Sequence, residues 1–310
     1  MPNPQISIVS TLYRSEVFLD EFIQRCYDAV NSINCTEFEI VMVNDGSPDN
    51  SLQKILQLKK QHPQIKVLDL SRNFGHHYAL VAGMNYSRGE LIFIIDCDME
   101  VDPVVLKEFY DELTNKNYDV VYGFQENRKG KFLEKILGGL FWKTFNFLSD
   151  TKIPANPLTE RIMTRKYVDA LLQLGDKNLF LAGMMYWSGF NQSGMPVTKS
   201  LRKGQATYTI RKRMILLIEA ISSFSAYPLK MLFILGSLLT ITAFCFGAFI
   251  IFRKIFMPSS LLMGYSSLAV LILFSTGIIM TSLGVFGIYL EKMYNQVKNR
   301  PLFIVKNIYE

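Results

Sequence analysis

The chain has 310 residues, with 33 Lys and Arg against 27 Asp and Glu, and a formal net charge of +6. Hydrophobic residues make up 49 % of it, and the mean hydropathy is slightly positive, which is high for a soluble enzyme. No dense basic stripe interleaved with aromatics occurs, so the charge suits an anionic lipid surface and speaks against nucleic acid as a partner.

In chain order, the opening "MPNPQISIVSTLY" lacks a charged segment followed by an apolar one, so no signal peptide is expected. Gln5–Tyr13 and Phe38–Ser47 ("FEIVMVNDGS") read as short apolar strands that end in polar loops. Between them, residues 16–33 carry apolar side chains at helical spacing. Residues 47–61 begin with the capping candidates Ser47 and Asp49 and continue as an amphipathic helix. Residues 65–71 read as a third strand, 76–87 as a helix and 90–96 as a fourth strand. This alternation implies an α/β fold with a mostly parallel sheet and helices on both faces. Ligands of such sheets bind beyond the carboxyl ends of the strands, where Tyr13, Asp45, Arg72 and residues 96–100 fall. No G-x-G-x-x-G follows the first strand and no G-x-x-x-x-G-K-S/T occurs, which argues against a Rossmann dehydrogenase and a P-loop NTPase.

The fourth strand runs into "DCDMEVDP", with Asp96, Asp98 and Glu100 at alternating positions. Buried carboxylates so close together repel unless a cation meets them. Hard oxygen ligands of this kind suit Mg²⁺ or Mn²⁺, which bind through one or two carboxylates plus substrate phosphates. Asp102 and Pro103 have a separate reading, as the N-cap and first residue of the next helix. The cysteines (Cys26, Cys35, Cys97, Cys245) show no C-x-x-C spacing, and His76 and His77 are adjacent, so no zinc site is expected.

Further on, residues 129–150 carry apolar stripes, lysines at 129, 131, 135 and 143, and the aromatics Phe141, Trp142, Phe145 and Phe147. They read as an interfacial amphipathic helix, and residues 211–230 as a second one. Leu232–Phe252 and Met257–Leu290 contain no charged residue. A helix crosses a bilayer with about 20 apolar residues. Two spans are therefore expected, at 230–252 and 266–288, with Arg253, Lys254 and Pro258 in the turn between them. Buried core helices are the competing reading, but the runs are long for that. Arg211, Lys212, Arg213 and Lys230 precede the first span, and Lys292, Lys298, Arg300 and Lys306 follow the second. The positive-inside tendency puts both termini in the cytoplasm. The expected organisation is a cytoplasmic domain over 1–210, a juxtamembrane helix over 211–229, the two spans, and a C-terminal tail over 289–310.

"IVSTLYRSEVFL", "IVMVNDGSPDNS", "LSRNFGHHYALVAGMNYSRGELIFIIDCDME" and "GIYLEKMYNQVKNRPLFIV" together resemble family 2 glycosyltransferases of the polyprenyl-phosphate type. That group includes dolichol-phosphate mannose synthases, bactoprenol glucosyltransferases and undecaprenyl-phosphate aminoarabinose transferases. The resemblance implies a GT-A, Rossmann-like catalytic domain at the inner (plasma) membrane, a nucleotide-diphosphate sugar donor and a polyprenyl phosphate acceptor. It also implies an inverting, metal-dependent hexosyltransferase, and a homo-oligomer is expected. Thr11, Tyr13 and Glu16 would line the nucleotide pocket, Asp45 would read the base and Arg72 would lie near the nucleotide. Asp96 and Asp98 match the D-x-D of the family, Asp96 serving donor and metal and Asp98 metal and catalysis. Glu100 stands where relatives usually have glutamine, and its extra charge should tighten metal binding.

The chain departs from the family pattern twice. Asn156–Met163, "NPLTERIM", has Thr159 where relatives carry an aspartate, while Asn156 and Arg161 remain. A phosphate monoester has a second pKa of about 6 and arrives at pH 7 largely as a dianion, so cations that hold it in line matter more than a strong base. Glu160 is the neighbouring carboxylate able to substitute as base, and Arg161 the cation beside it. Secondly, Thr207 precedes Tyr208 where relatives commonly have Lys or Arg. The acceptor phosphate clamp is then expected at Arg202, Lys203 and Arg211, with Arg128 and Lys131 as further candidates. Two other functions compete with this one. One is a glycosyltransferase with another acceptor, either a processive polysaccharide synthase or a transferase extending a lipid-linked glycan; processive synthases typically show Q-x-x-R-W, which Ala182–Gln192 lacks. An inactive membrane scaffold is the reading that Thr159 keeps open.

Overall fold

The computed structural model describes residues 4–125, 143–144, 146–148, 152–154, 156–199, 221–223, 225–256 and 265–310. Four apolar runs form parallel neighbours at its centre: β1 (Ile6–Leu12), β2 (Phe38–Asn44), β3 (Ile65–Leu70) and β4 (Leu91–Ile94). All seven residues of β1 are buried, as expected of a strand covered on both faces. β5 (Val120–Phe124), β6 (Pro157–Thr164), β7 (Gln192–Pro196) and β8 (Val305–Tyr309) complete it. Among the described residues the sheet has eight strands in the order β7-β5-β6-β4-β1-β2-β3-β8. The expectation of a mostly parallel sheet holds for four of the seven pairings, the three at the centre and β5 with β7 at one edge. β6 runs antiparallel to both β4 and β5, and β8 antiparallel to β3, which makes the sheet mixed.

Helices cover both faces. In α1 (Leu19–Ser32), Leu19, Phe22, Ile23, Cys26, Ala29 and Val30 are buried at steps of three and four, and Asp20 and Glu21 sit in the first turn where the helix dipole favours them. A 3-10 turn, Glu16–Phe18, precedes α1. α2 covers Ser51–Gln61 and starts later than its sequence suggests, because Asp49 takes the hydroxyls of Ser47 and Ser51 and the amide of Ser51 in a local loop. α3 spans His76–Tyr86. α4 (Leu106–Lys116) follows a 3-10 turn in which Asp102 accepts a hydrogen bond from Val104 N at 3.0 Å and Pro103 takes the first position, as the sequence suggests. α5 (Arg165–Gln173) and α6 (Leu181–Trp187) pack on the same face as α3.

α7 (Tyr227–Phe256) and α8 (Tyr265–Lys298) contain 30 and 34 residues. At about 1.5 Å per residue each exceeds the thickness of a bilayer's hydrocarbon core. Their apolar side chains are exposed, Phe233 at 76 % and Phe244 at 79 %, and neither apolar window is buried by the protein. That burial pattern contradicts the competing reading of core helices. α8 also outruns its expected end. Its polar last turns dock on the α/β domain, where Lys292 O accepts from Asn178 Nδ2 at 3.1 Å and Gln296 Oε1 accepts from Lys177 N at 2.9 Å.

The segment read as a C-terminal tail includes a strand. β8 pairs with β3 from Val67↔Tyr309 to Leu70↔Val305, so the chain's end covers a sheet edge that would otherwise expose unpaired backbone groups. Leu302, Phe303 and Val305 pack on the α3 face, and Tyr309 on the α1 face.

Candidate active site

The strand order 3-2-1-4 reverses direction between β1 and β4, and the carboxyl ends of these strands open a crevice there. Val9 pairs with Ile94, so Thr11 on β1 comes alongside Asp96 just beyond β4. Cys97 Sγ donates to Thr11 O at 3.0 Å, which fixes the spacing. His76, the first residue of α3, bridges the two strands. Its Nδ1 is 3.0 Å from Thr11 Oγ1 and its Nε2 is 3.4 Å from Asp96 Oδ1. Desolvation lowers the His76 pKa, against the raising influence of Asp45, Glu160 and Asp98. In the neutral ring that results, the tautomer consistent with both contacts has Thr11 donating to Nδ1 and Nε2–H facing Asp96.

Asp45 is 2 % exposed, and its carboxylate accepts from Phe74 N at 2.7 Å and Gly75 N at 3.0 Å. It ties the loop after β2 to the loop before α3. Gly46 makes that approach possible, for it has φ +60° and a Cβ there would lie 2.6 Å from Asn73 N. Arg72 is exposed, its guanidinium 4.0 Å from the Phe74 ring centroid. Tyr13 is 47 % exposed at the end of β1. Beside it, Arg14 N, Ser15 N and Glu16 N donate to Ser47 Oγ, Ser51 Oγ and Asp49 Oδ2, so the loop carrying Tyr13 and Glu16 is stitched to the loop after β2.

Asp98 Oδ1 accepts from Glu100 N at 3.1 Å, and Met99 between them takes a left-handed conformation. Glu100 turns to Lys199, with Oε2 3.0 Å from Nζ. Across the crevice, β6 pairs Arg161 with Ile94, and continuing that register brings Glu160 and Thr159 beside Ile95 and Asp96. Glu160 is 1 % exposed, and neither carboxylate oxygen has a hydrogen-bond partner. Burial pushes its pKa up to about 7, Asp96 and Asp98 add to the rise, and Lys199 works against it. Arg161 is 2 % exposed. Its Nε and Nη2 donate to Thr159 O and Leu158 O, while Nη1 makes no hydrogen bond.

The structure thus gathers Thr11, Asp96, Asp98 and Glu160 at one strand end, with Asp45, Arg72, Tyr13 and Glu16 on the loops around it. The expected metal residues Asp96, Asp98 and Glu100 do not converge as one cluster among the described residues. Glu100 is paired with Lys199, and no group of three metal-ligating side chains occurs among the described residues. The surplus of negative charge, with Glu160 buried and unsatisfied beside Asp96 and Asp98, still fits a hard divalent ion. Mg²⁺ and Mn²⁺ sites of this kind use one or two carboxylates and complete their shell with substrate phosphate. Sequence reasoning missed His76 and Lys199. His76 was weighed only as a zinc ligand, and Lys199 stands 99 residues from Glu100 with no local motif around it. The expected acceptor residues Arg128, Lys131, Arg202 and Lys203 lie outside the described residues, as do most of the expected amphipathic helices and Arg211.

The description "Glycosyl transferase family 2" matches residues 7–172. A putative glycosyltransferase of Mycobacterium tuberculosis (strain CDC 1551 / Oshkosh) is 37 % identical over 305 residues, covering 98 % of this chain and 88 % of its own length. The prophage bactoprenol glucosyl transferase homolog of Escherichia coli K12 is 31 % identical over 307 residues, covering 98 % of this chain and 99 % of its own. Among solved structures, a mannosyltransferase from Pyrobaculum calidifontis in complex with GDP-Man and Mn²⁺ has a TM-score of 0.51 at 14 % identity, over 96 % of this chain and 88 % of that one. That likeness is one of fold. The chain belongs to glycosyl transferase family 2, and the mixed sheet with carboxylates at the β4 end is its GT-A catalytic domain.

Proposed function

We propose that the protein transfers a hexose from a nucleoside-diphosphate sugar to a polyprenyl phosphate at the cytoplasmic face of a membrane, with inversion at the sugar carbon. The observation that carries this reading is the joining of two features. A strand-end carboxylate site sits on a domain clasped by Lys177 and Asn178 to the base of α8, one of two exposed apolar helices. Full-length similarity to the bactoprenol glucosyl transferase homolog, helices included, supports a lipid phosphate acceptor.

In this reading the exposed Tyr13 ring stacks on the base, Glu16 faces the nucleoside and Arg72 lies over its edge. Asp45 acts on base recognition through the backbone it fixes, since both of its oxygens are occupied by Phe74 and Gly75 amides. Asp96 and Asp98 face the diphosphate and would hold Mg²⁺ or Mn²⁺. When bound, that ion supplies Lewis acidity that stabilises the departing nucleoside diphosphate. Thr11 and His76 keep the Asp96 carboxylate oriented. The acceptor phosphate attacks the sugar carbon directly, which needs no enzyme nucleophile and inverts the configuration. Glu160 removes the proton from the fraction of acceptor that arrives as monoanion, a transfer matched in pKa because the phosphate titrates at about 6 and Glu160 at about 7. Arg161 is the described cation assigned to the acceptor, and Arg128, Lys131, Arg202 and Lys203, outside the described residues, are the further cations expected from the sequence.

The test is incubation of the full-length protein with radiolabelled nucleotide sugars and undecaprenyl phosphate, with and without EDTA. Label that enters the organic phase only with the lipid and a divalent ion is the expected result. Transfer to a free saccharide would establish the competing transferase reading, and donor binding without product for any pair would establish the inactive scaffold.

A further inference from the structure

Glu100, at the end of the "DCDME" run, is paired with a side-chain cation. Lys199 meets it at 3.0 Å from the segment after β7, in a pair that is largely shielded on both sides, at 22 % and 15 % side-chain exposure. Lys199 approaches across 99 residues of sequence and also stands in the field of Glu160 and Asp96. A lysine ammonium cannot ligate a metal, and a carboxylate held by one has lost much of its attraction for a second cation. Backbone geometry acts in the same direction, because the amide of Glu100 folds back onto Asp98 through the left-handed Met99.

We propose that Lys199 withholds Glu100 from the divalent ion, leaving a two-carboxylate site at Asp96 and Asp98 that holds the ion only together with the donor diphosphate. This rests on the glycosyltransferase reading given above. It reverses the simple expectation that an added glutamate tightens metal binding. The consequence is an order of events: the empty enzyme stays metal-poor, and ion and nucleotide enter as a unit. Lys199 is a positioning residue in this scheme, acting through Glu100.

Mn²⁺ binding to the full-length protein in detergent, followed by electron paramagnetic resonance, tests it with no turnover needed. Wild type should bind Mn²⁺ weakly alone and at least roughly tenfold more tightly with UDP or GDP present. Lys199→Met should tighten nucleotide-free Mn²⁺ binding by roughly tenfold, the scale on which charges beside a metal are felt. Adding Glu100→Gln to that variant should cancel the gain, which places the effect of Lys199 on Glu100. If Lys199→Met leaves nucleotide-free binding unchanged, or its gain survives the added Glu100→Gln, while UDP or GDP still tightens Mn²⁺ binding, the inference is overturned and the donor reading stands. If neither nucleotide changes Mn²⁺ binding in wild type, the donor reading itself fails.

Discussion

Asn307, three residues before the C-terminal Glu310, reaches across to Asp69 on β3, its Nδ2 3.4 Å from Asp69 Oδ2. The other oxygen of Asp69 accepts from Asn44 Nδ2 at 2.8 Å, and Asn44 Oδ1 accepts from the amide of Ser47. Next to this relay, Ser71 N donates to Ile304 O at the root of the loop that carries Arg72. The strand that returns from α8 is therefore wired to both loops proposed to hold the nucleotide.

A chain ending at Arg300 should keep both apolar helices yet lose this wiring. Its donor KM should rise several-fold with a smaller change in kcat, and its melting temperature should fall. Asp69→Ala, which strands the buried Asn44 amide, should cost about 1–3 kcal/mol. Donor titrations and thermal melts of the two variants check both. A donor KM equal to wild type in the truncated chain would show that β8 serves only the sheet edge.

Gly46→Ala forces a side chain into a left-handed position and against the backbone of Asn73. The conformational strain alone is about 1–3 kcal/mol, and the clash adds displacement of the 72–75 loop. Nucleotide affinity should drop at least tenfold while the helices and the rest of the sheet remain folded. Calorimetry with UDP and GDP, paired with circular dichroism, separates the local from the global effect.

Glu160 gives a pH dependence whose sign is fixed by its raised pKa. As a base it works only when ionised, so kcat should climb through about pH 7 and level off above it. Because only the monoanionic fraction of the acceptor needs a base, Glu160→Gln should lower kcat most below about pH 7 and little at pH 8, where the phosphate arrives as a dianion. A loss of roughly 10²–10⁴-fold at pH 8 would show instead that Glu160 is an obligatory general base. Stability moves the other way. A carboxyl whose folded pKa lies above its unfolded value holds a proton that the unfolded chain has given up, and stabilisation is lost as pH rises through about 7. Glu160→Gln should therefore melt higher than wild type at pH 8 and nearly equal to it at pH 4. Thr159→Val, by contrast, should retain most activity, since the acceptor dianion is itself the nucleophile and the threonine hydroxyl carries no proton for it.

Topology follows from the basic flanks of the two helices. In a cysteine-free background, a cysteine placed at Pro258 should label from outside the membrane and one at Ser47 only from the cytoplasmic side. Labelling of both from one side would overturn the hairpin.

Much of this was legible in the sequence for physical reasons. β1 to β4 announce themselves as short apolar runs, and α1 and α2 by buried residues every three or four positions, because local burial writes a local period. The Asp96 and Asp98 pair was visible because two acids at the end of an apolar strand are costly without a purpose. What stayed hidden depends on long-range pairing. β6 and β8 join the sheet antiparallel from distant segments, and β8 is mostly exposed, so its apolar pattern is faint. Asp45 looked like a base reader from its place in "VNDGS", yet its partners are amides 29 and 30 residues on. Lys199 and Glu100 meet only in three dimensions, so nothing in the sequence signalled their ion pair.

The central claim is that a phosphate oxygen of the lipid, and not a hydroxyl, receives the sugar. Mass spectrometry of the organic-phase product, made by wild type from undecaprenyl phosphate and the accepted nucleotide sugar, tests it directly. The account predicts lipid plus one phosphate plus one hexose, with the nucleoside diphosphate released intact and the sugar freed by mild acid. A product carrying two phosphates, or a hexose joined to another sugar with the lipid phosphate unmodified, would contradict it.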